Sequence, residues 1–551
     1  MNAILCLFGA LLTLIQMDQL VYKSGGKSRI VWILYTIPLL PFLANHIAIS
    51  RAHSLIPKYD ITNVHPIGQL IEHAKVEFNS LLVRQSQTYT EAEAVYRQRH
   101  RMEPPPGFRK WYEFAVAQQS PIIDDFDAMY HSIAPLWKLS GKEVKQAMQS
   151  LQGRADTEVW LCHFTGGTGK TSCNHPQRSF DRHTSLLFEK LLGEVVGDIP
   201  DVEFLVNHLD EPRVLFPTGA ERSHSLKLDL LSHSSTWEQL TKFCPSSQTG
   251  SNIDHIETFG IPFVTDLNGM ADLCKHPEYR KMHGMFQSPT SFRLVQGFVP
   301  ILSTGAPSTM HDILYPSAAY IESEFQYDVS RDIPWHKKRN NLYWAGSTSG
   351  AYSKDGEWRQ YHRQRFVEFV QNLQYAQHAY LRNVGGQVKR VMSSFWNGRL
   401  YDVIFTRVFQ CLARDCREQR AYFNMKAWAD KDEALHSKLA FDLDGNGISG
   451  RYYKLLSSNS LPLKQTLLRE WHDDRHLAWV HYIPVSQTME ELPELVYYLT
   501  STEQGQHLAK QVAESGKTWF SKAFRQADMA IYVYRLMLEL ARLQDPEREA
   551  S

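Results

Sequence analysis

The sequence lacks an excess of charge of either sign. It contains 59 Lys and Arg against 59 Asp and Glu among 551 residues, so the formal net charge is zero and the pI is near 7.4. A protein that works mainly by holding nucleic-acid phosphates usually carries a basic excess. The balance argues against nucleic-acid binding, and we expect no nucleic-acid partner.

Long apolar runs are absent from most of the chain. The mean hydropathy is −0.36, which excludes a polytopic transporter because repeated apolar spans of ~20 residues would raise the average above zero. The composition, with 43% hydrophobic and 12% aromatic residues, also excludes a disordered or collagenous chain. It predicts a folded globular protein of two or more domains.

The apolar runs that do occur lie at the N-terminus, at residues 3–17 and 30–49. The second run is near the length that a bilayer core demands, although Pro38 and Pro41 weaken it. We predict a membrane anchor region at 1–50, with one span or a two-span hairpin. A cleaved signal peptide over the first run is the alternative, but that run lacks the basic segment that precedes the apolar core of such peptides.

The charges around these runs predict which side of the membrane the rest of the chain faces. Lys23, Lys27 and Arg29 lie between the two runs, and only Arg51 follows the second run closely. By the positive-inside rule this basic loop stays cytoplasmic. The chain beyond the anchor region is therefore expected in the lumen of the secretory pathway or outside the cell.

Cysteine is scarce, and Cys6 lies inside the first of the two apolar runs. The other six cysteines are an even number, which permits three disulfides in an oxidising compartment. Six cysteines allow fifteen pairings, and buried free thiols remain an alternative. The most economical pairing joins neighbours in the sequence: Cys162 with Cys173, Cys244 with Cys274, and Cys411 with Cys416.

The pattern of the remaining chain predicts an α/β protein. Polar helical residues at 66–101 end at Pro104 and Pro105, because proline cannot continue a helix. Short β-type runs such as 202–207 and 261–266 then alternate with helical and loop stretches, and a similar alternation follows in the second half. Two successive α/β halves indicate two Rossmann-like domains that face a cleft, where ligands bind at the carboxyl ends of strands.

We predict five regions in chain order. The last has apolar residues at steps of three and four from Phe524 to Ala541, which is typical of an amphipathic helix and predicts a strap across the domains. The regions are a membrane anchor region at 1–50, a stem and helical region at 51–150, an N-terminal Rossmann-like domain at 151–335, a C-terminal Rossmann-like domain at 336–515, and a C-terminal helix at 516–551.

One motif resembles a phosphate-binding P-loop but lacks a required residue. The sequence TGGTGKT at 165–171 fits the second part of the pattern, yet Phe164 stands where the first glycine should open the tight turn. A bulky aromatic residue there argues against a nest of backbone amides. We do not expect an ATPase.

Two further clusters of polar residues resemble metal sites, but we predict no bound metal at either cluster. The sequence DLDGNG at 442–447 matches the first half of a calcium loop, but Tyr453 stands where a bidentate Glu should close the shell. His472 and His476 have helical spacing but lack cysteines or a third ligand at fixed spacing. A polar turn and a polar face are the favoured interpretations.

Four sequence blocks point to a known family: residues 96–115, 205–215, 333–350 and 442–485. Through them the chain resembles, from about residue 90 to about residue 540, the fungal capsule-associated glycosyltransferases of glycosyltransferase family 90. These are relatives of the Rumi-type protein O-glucosyltransferases. The last block is much longer than any short motif and is therefore the most specific part of the resemblance.

The resemblance implies a GT-B fold, a UDP-sugar donor, inversion at the anomeric carbon, and type II topology with the catalytic domain in the lumen of the Golgi or another secretory compartment. Similar fungal members are associated with β-xylosyl transfer in capsule and glycolipid synthesis, so xylose is favoured as the sugar and a glycan or glycoprotein as the acceptor. Transfer of glucose from UDP-glucose to Ser or Thr of a protein is the alternative activity.

The UDP-sugar donor is a substrate, and the resemblance implies that no cofactor is required. Whether a divalent metal takes part stays open, although helix termini and Arg can do its electrostatic work.

The resemblance also implies a catalytic base. Asp210, just past the β-type run at 202–207, aligns with the carboxylate that resembles the base of the O-glucosyltransferases. An inverting transfer needs one such group to take the proton of the attacking hydroxyl. Its neighbour Glu211 is the competing candidate, and a helix cap or a salt bridge to Arg213 is the structural alternative for Asp210.

The donor-binding candidates lie in two glycine-containing loops. The first follows a predicted strand, and the second precedes a predicted helix. An Arg fork beside a helix N-terminus suits a diphosphate, and Arg451 is the strongest candidate. The residues are Gly346, Ser347 and Thr348 in the first loop and Ser449, Gly450 and Arg451 in the second.

The chain departs from the family at one position of the first loop. The family usually reads Trp-Arg-Gly there, whereas this chain has Ala345 in place of the Arg. Loss of a guanidinium beside a diphosphate removes charge-assisted bonds of ~1.5–3 kcal/mol apiece, which motivates a third possibility, a weakened member that binds UDP-sugar or glycan without turnover. Compensation by Arg359, Arg363 or Arg365 is one expectation. A role of the missing Arg in tying the domains together is the other.

Overall fold

A computed structural model describes residues 65–152, 154–217, 226–244, 256–384 and 387–551. The predicted anchor region at 1–50 lies outside these residues. Within the described ranges, no helix is both long and apolar enough to cross a bilayer. Residues 66–379 and 392–551 form one compact unit.

The structure is a mixed α/β protein, which confirms the predicted class. Its strands are β1 Val159–Thr165, β2 Lys170–Asn174, β3 Val202–Asn207, β4 Val214–Leu215, β5 Lys227–Leu230, β6 Arg293–Gln296, β7 Ile301–Ser303, β8 Ile313–Leu314, β9 Arg339–Ser347, β10 His378–Val384, β11 Gln387–Ser393, β12 Tyr401–Arg407, β13 Ser437–Leu443, β14 Leu461–Gln465 and β15 Ile483–Pro484. Strands β10 and β11 make a two-stranded sheet of their own.

The helices are distributed along the whole described chain. The α-helices are α1 Pro66–Val83, α2 Tyr89–His100, α3 Phe108–Ala117, α4 Asp127–Ile133, α5 Gly141–Gln152, α6 Thr184–Leu192, α7 Trp237–Leu240, α8 Leu267–Ala271, α9 Gly284–Gln287, α10 His362–Val370, α11 Ala413–Tyr422, α12 Tyr452–Leu456, α13 Leu492–Ser501, α14 Glu503–Ala523 and α15 Gln526–Leu543. Short 3-10 helices cover Ala134–Lys138, Ala155–Thr157, Pro277–Lys281, Ala318–Tyr320, Val329–Arg331, Trp335–Lys337, Glu357–Gln360, Gly398–Leu400, Glu433–His436 and Asp473–Arg475.

The first large sheet is mixed. Its five strands lie in the order β2-β1-β3-β7-β8, and β3, β7 and β8 run parallel while β1 is antiparallel to both of its neighbours. The antiparallel pair arises because the TGGTGKT motif forms the turn of a β-hairpin, with Gly169 at a φ of 67°. The motif therefore leads into a strand, whereas a phosphate-binding P-loop leads into a helix. A three-stranded sheet in the order β4-β6-β5 accompanies this part of the chain.

The second large sheet is entirely parallel. Its five strands lie in the order β12-β9-β13-β14-β15. Every residue of β14 is buried, which is typical of a parallel strand covered by helices on both faces. Because the strands are parallel, the loops that follow β9 and β13 leave the same edge of the sheet.

The three predicted disulfides are confirmed. Cys162 bonds to Cys173, Cys244 to Cys274, and Cys411 to Cys416. The first of them joins paired residues of β1 and β2. Each bridge therefore closes a short stretch of chain.

The C-terminal segment forms two helices where the sequence predicts one at 516–551. The chain breaks at Phe524 and Arg525, where the Asp528 carboxylate accepts a hydrogen bond from the Arg525 backbone N–H at 3.0 Å and begins a new helix. Helix α14 packs against α13 and β14, and α15 packs against α6 and β3. The segment thus contacts both large sheets.

A buried ion pair on α15 organises the helices around it. Glu539 is fully buried and pairs with Arg535 at 3.3 Å and with Arg542. The Arg535 guanidinium lies 4.4 Å from the ring centroids of both Phe108 and Trp111. Such pairing offsets part of the large cost of burying a charge at this depth.

We expect Glu539→Gln to lower the free energy of unfolding by about 3 kcal/mol or more, because it leaves two buried guanidinium groups without a carboxylate. Chemical denaturation measures this loss. The matched control is Glu514→Gln on α14, whose pair with Lys510 is exposed at the surface. The control should change the free energy by no more than about 0.5 kcal/mol, and equal losses in the two variants would contradict the assigned role of Glu539.

Candidate active site

The predicted donor residues meet at the carboxyl edge of the parallel sheet. Gly346 and Ser347 are the last residues of β9, Thr348 follows that strand, and Ser449, Gly450 and Arg451 lie beyond β13, which is a direct neighbour of β9. The guanidinium of Arg451 donates a hydrogen bond to the carbonyl oxygen of Ala345 at 2.6 Å. A Cβ built on Gly346 would lie 3.3 Å from the Arg451 side chain. The structure therefore brings the two predicted loops together.

A second guanidinium reaches the same loops. Arg363 on α10 donates to the carbonyl oxygens of Asp444 and Ser347, at 2.7 and 3.1 Å, and to the Ser349 hydroxyl at 2.8 Å. Its Cζ lies 5.7 Å from the ring centroid of Trp344, and the Cζ of Arg451 lies 5.9 Å from the same centroid. Trp344 is thus flanked by two cations.

The other two candidates for compensation lie elsewhere. Arg359 stacks on Trp358 and Tyr422, with its Cζ 4.2 and 4.6 Å from the ring centroids. Arg365 donates to the carbonyl oxygens of Met282 and Gln487. Of the three arginines, Arg363 alone bonds to the loop that follows β9.

The electrostatics of Arg363 and Arg451 favour an anionic ligand. Among the described residues, neither guanidinium forms a salt bridge with a carboxylate, although Asp442 is close enough to favour the charged form of both. Burial, together with repulsion from Arg451, lowers the pKa of Arg363 to about 9, and burial lowers the pKa of Arg451. Arginine stays protonated in proteins, so both groups are cations at neutral pH. Two cations at one sheet edge suit an anionic group.

The remaining predicted donor residues shape the loops. The Thr348 hydroxyl donates to the carbonyl oxygen of Phe409 and accepts from its N–H, at 3.0 Å in each case. The Ser449 hydroxyl donates to Asp442 at 2.5 Å, and burial raises the pKa of that carboxyl to about 6. A Cβ on Gly450 would lie 3.2 Å from the Ala319 side chain. These positions are tightly packed and hold the backbone of the loops, and their part in donor binding stays a prediction.

The helix expected to bind the diphosphate at its N-terminus is too short for that task. Helix α12 spans only Tyr452–Leu456, and Arg451 precedes it. A macrodipole needs a longer run of aligned peptides. The positive charge beside these loops therefore comes from the two guanidinium groups.

Asp210 lies in the loop after β3, with its side chain 48% exposed. Its Oδ1 pairs with Arg182 Nη1 at 2.9 Å, and its Oδ2 accepts a hydrogen bond from Asn446 Nδ2 at 3.4 Å. The alternative salt bridge to Arg213 is not formed, since the Arg213 side chain is buried and donates to the carbonyl oxygen of Arg293 at 3.1 Å. The carboxylate of Asp210 is accessible to a substrate.

The carboxylate of Glu211, the competing candidate for the base, is buried. Glu211 is 1% exposed and accepts hydrogen bonds from the backbone N–H and the hydroxyl of Ser291, both at 3.0 Å. Burial raises the pKa of Glu211 to about 7. Its oxygens are engaged in the interior, so Asp210 is the better candidate for a group that meets substrate.

Arg182 was not identified from the sequence. It lies in a polar loop before α6 that contains no recognisable pattern, and it and His183 have φ angles of 52° and 62°. Two successive non-glycine residues in the left-handed region are strained, and such strain clusters at functional sites. The turn aims the Arg182 side chain at Asp210.

The two clusters considered as metal sites have other partners. The Asp444 carboxylate accepts from the Leu467 N–H at 3.0 Å, and Asp442 is engaged by Ser449. His472 and His476 are buried and lie beside the ring of Tyr452. Within the part of the chain that the structure describes, no group of three or more His, Cys, Asp or Glu side chains is arranged to hold a metal ion.

Comparison with known proteins places the chain in a family. A sequence model of the family described as "Glycosyl transferase family 90" matches residues 262–550, which is more than half of the chain. No curated protein matches the chain. The matched range includes both donor loops, and Asp210 precedes it.

We expect Glu211→Gln to gain stability relative to the unchanged protein as the pH rises from 5 to 8. The folded-state pKa of Glu211, about 7, lies above its ordinary value of 4.5, so its contribution to stability is full below 4.5 and is lost as the pH rises through 7. Glutamine does not ionise, so the difference in unfolding free energy should shift by about 2–3 kcal/mol over this interval. Denaturation at pH 5, 6.5 and 8 measures it, and a difference independent of pH would contradict the assignment.

Proposed function

The chain belongs to glycosyl transferase family 90, and we propose that it is an inverting glycosyltransferase that moves a sugar, with xylose favoured, from a UDP-sugar to a hydroxyl of a glycan acceptor. Membership of the family implies a sugar donor and an acceptor. Asp210 is the proposed general base. Arg363 and Arg451 are the proposed ligands of the diphosphate.

The observation that carries this proposal is the pair of guanidinium groups without carboxylate partners at the edge of the parallel sheet. In an inverting transfer the acceptor oxygen attacks the anomeric carbon, the bond between that carbon and the diphosphate oxygen breaks, and UDP leaves with the bonding electrons. Negative charge therefore grows on the diphosphate. Fixed cations in a site of low polarity stabilise that charge.

The base completes the reaction. The proton of the acceptor hydroxyl passes to the carboxylate of Asp210 as the new bond forms. Asp210 suits this role because it is accessible and because both of its oxygens are oriented, one by Arg182 and one by Asn446. No covalent intermediate is needed, since a single displacement inverts the configuration.

The architecture supports a GT-B arrangement as part of the proposal. The base follows a strand of the mixed sheet, and the donor loops follow strands of the parallel sheet. Ligands of α/β proteins bind at such carboxyl ends. In this arrangement the N-terminal half holds the acceptor and the base, and the C-terminal half holds the UDP-sugar.

Location in the secretory pathway is a further part of the proposal. Three disulfides suit an oxidising compartment, and the apolar runs at 3–17 and 30–49 suit an N-terminal anchor. We propose a Golgi or similar membrane with the catalytic part in the lumen. The resemblance to fungal capsule-associated members favours xylose over the glucose of the Rumi-type relatives.

A UDP-sugar-binding member without turnover is the second candidate function, and Ala345 is the observation that favours it. The structure supplies an argument against it, because Arg363 brings a guanidinium to the carbonyl oxygen of Ser347, two residues further along the same strand. The end of strand β9 therefore has a cation beside it although Arg is absent from position 345.

We expect the full-length protein to release UDP from one donor of a UDP-sugar panel in the presence of a mannose-containing glycan or a Ser/Thr peptide. Asp210→Asn should lower kcat by about 10²-fold or more while UDP binding persists. Asp198→Asn, which breaks a comparable pair with Lys110 away from the loops, should leave turnover unchanged. Turnover that survives in Asp210→Asn would exclude Asp210 as the base, and UDP binding without turnover of any donor would favour the binding protein.

Arg363→Met and Arg451→Met test the diphosphate assignment. Each variant loses charge-assisted hydrogen bonds of ~1.5–3 kcal/mol, so the dissociation constant of UDP should rise by about tenfold to a hundredfold. Isothermal titration calorimetry with UDP and with uridine separates the diphosphate from the nucleoside. The control is Arg359→Met, which lies in the preceding 3-10 helix and stacks on Trp358. An unchanged UDP affinity in both test variants would contradict the assignment.

A further inference from the structure

One loop connects the donor side of the site to the base. It spans Asp444–Gly447 and follows strand β13. A Cβ built on Gly447 would lie 2.2 Å from the carbonyl oxygen of Asp210 and 3.0 Å from its carbonyl carbon. No side chain fits there, so the loop packs its backbone directly on the backbone of Asp210.

Asn446 makes the side-chain part of this contact. Its Nδ2 donates to Asp210 Oδ2 at 3.4 Å, and its Oδ1 accepts from the Gly350 N–H at 3.0 Å and from the Thr290 hydroxyl at 3.3 Å. One side chain thus bridges three separate segments. Only an amide donates and accepts in this way at the two ends of one planar group.

The beginning of the loop is attached to the donor site. The carbonyl oxygen of Asp444 accepts from Arg363 Nε at 2.7 Å and bonds with His362 Nε2 at 2.9 Å. The Asp444 carboxylate is held by the Leu467 N–H. The same Arg363 that is the proposed diphosphate ligand therefore fixes the loop that contacts the base.

We propose that Asn446 is a positioning residue that orients the Asp210 carboxylate relative to the donor loops. This inference rests on the proposed function, because it takes Asp210 as the base. Asn446 exchanges no proton and forms no bond to substrate. Gly350 and Thr290 fix the amide of Asn446, and its Nδ2 holds one oxygen of the Asp210 carboxylate. The carboxylate is therefore held at a fixed position relative to the donor loops, and so to the anomeric carbon of a bound donor.

Asn446→Ala should lower kcat about tenfold or more while the donor KM stays within about twofold. The loss follows because a misplaced catalytic group reduces the rate steeply, and the KM is kept because Arg363 and Arg451 remain. Asn397→Ala is the control, since it removes an exposed amide that caps the 3-10 helix Gly398–Leu400 and, among the described residues, makes no hydrogen bond to Asp210 or Asn446. It should retain most of the activity.

Asn446→Asp separates positioning from a merely structural role. It keeps the shape of the side chain but places a second carboxylate beside Asp210, and a like charge raises the pKa of its neighbour. The charged groups that otherwise face Asp210 are Arg182, in the loop before α6, and Glu211, next in the chain; both are unchanged. The acidic limb of the pH profile of kcat should therefore move to higher pH in Asn446→Asp and not in Asn397→Ala.

The outcomes distinguish this inference from the proposed function. If Asp210→Asn retains turnover, Asp210 is not the general base, and that part of the proposed function is wrong. If Asp210→Asn is inactive but Asn446→Ala has normal kcat and Asn446→Asp has an unshifted pH profile, the positioning role alone is overturned. UDP binding by each variant reports folding, and loss of UDP binding in the isosteric Asn446→Asp would likewise overturn the inference, because the residue would then maintain the loop itself.

Discussion

The backbone contact between Gly447 and Asp210 is the constraint on which the candidate site depends. It brings the loop after β13 of the parallel sheet within van der Waals reach of the loop after β3 of the mixed sheet. The base and the donor loops come from opposite halves of the sequence, so nothing local in the chain sets their distance. Any side chain at position 447 would separate the halves of the site before it disturbed either sheet.

The two arginines proposed to bind the diphosphate carry a cost for folding. Their Cζ atoms lie 5.7 and 5.9 Å from the ring centroid of Trp344, and neither forms a carboxylate salt bridge among the described residues, so repulsion between Arg363 and Arg451 raises the free energy of the folded protein. Arg535, by contrast, is buried in an ion pair with Glu539. A ligand that binds only the folded protein offsets such a cost by mass action.

The resemblance to family 90, together with strand ends and glycine loops, indicated where Asp210 and Arg451 lie in the fold, and their roles stay predictions. The disulfides were predictable because their partners are near in sequence. Arg363 could not be separated from Arg359 and Arg365, since Arg359 lies in a separate 3-10 helix and only the phase of α10 distinguishes Arg363 from Arg365. Arg182 reaches Asp210 because Arg182 and His183 adopt left-handed backbone conformations, which no sequence pattern predicts.

The three disulfides have a consequence for motion. Each closes a loop within one half of the sequence, and among the described residues none links a segment of the mixed sheet to a segment of the parallel sheet. Disulfides therefore stiffen each half and add nothing to the non-covalent contacts between the halves. Under the proposed function, any movement of one half against the other to admit donor or release product would be opposed by non-covalent contacts and not by a disulfide.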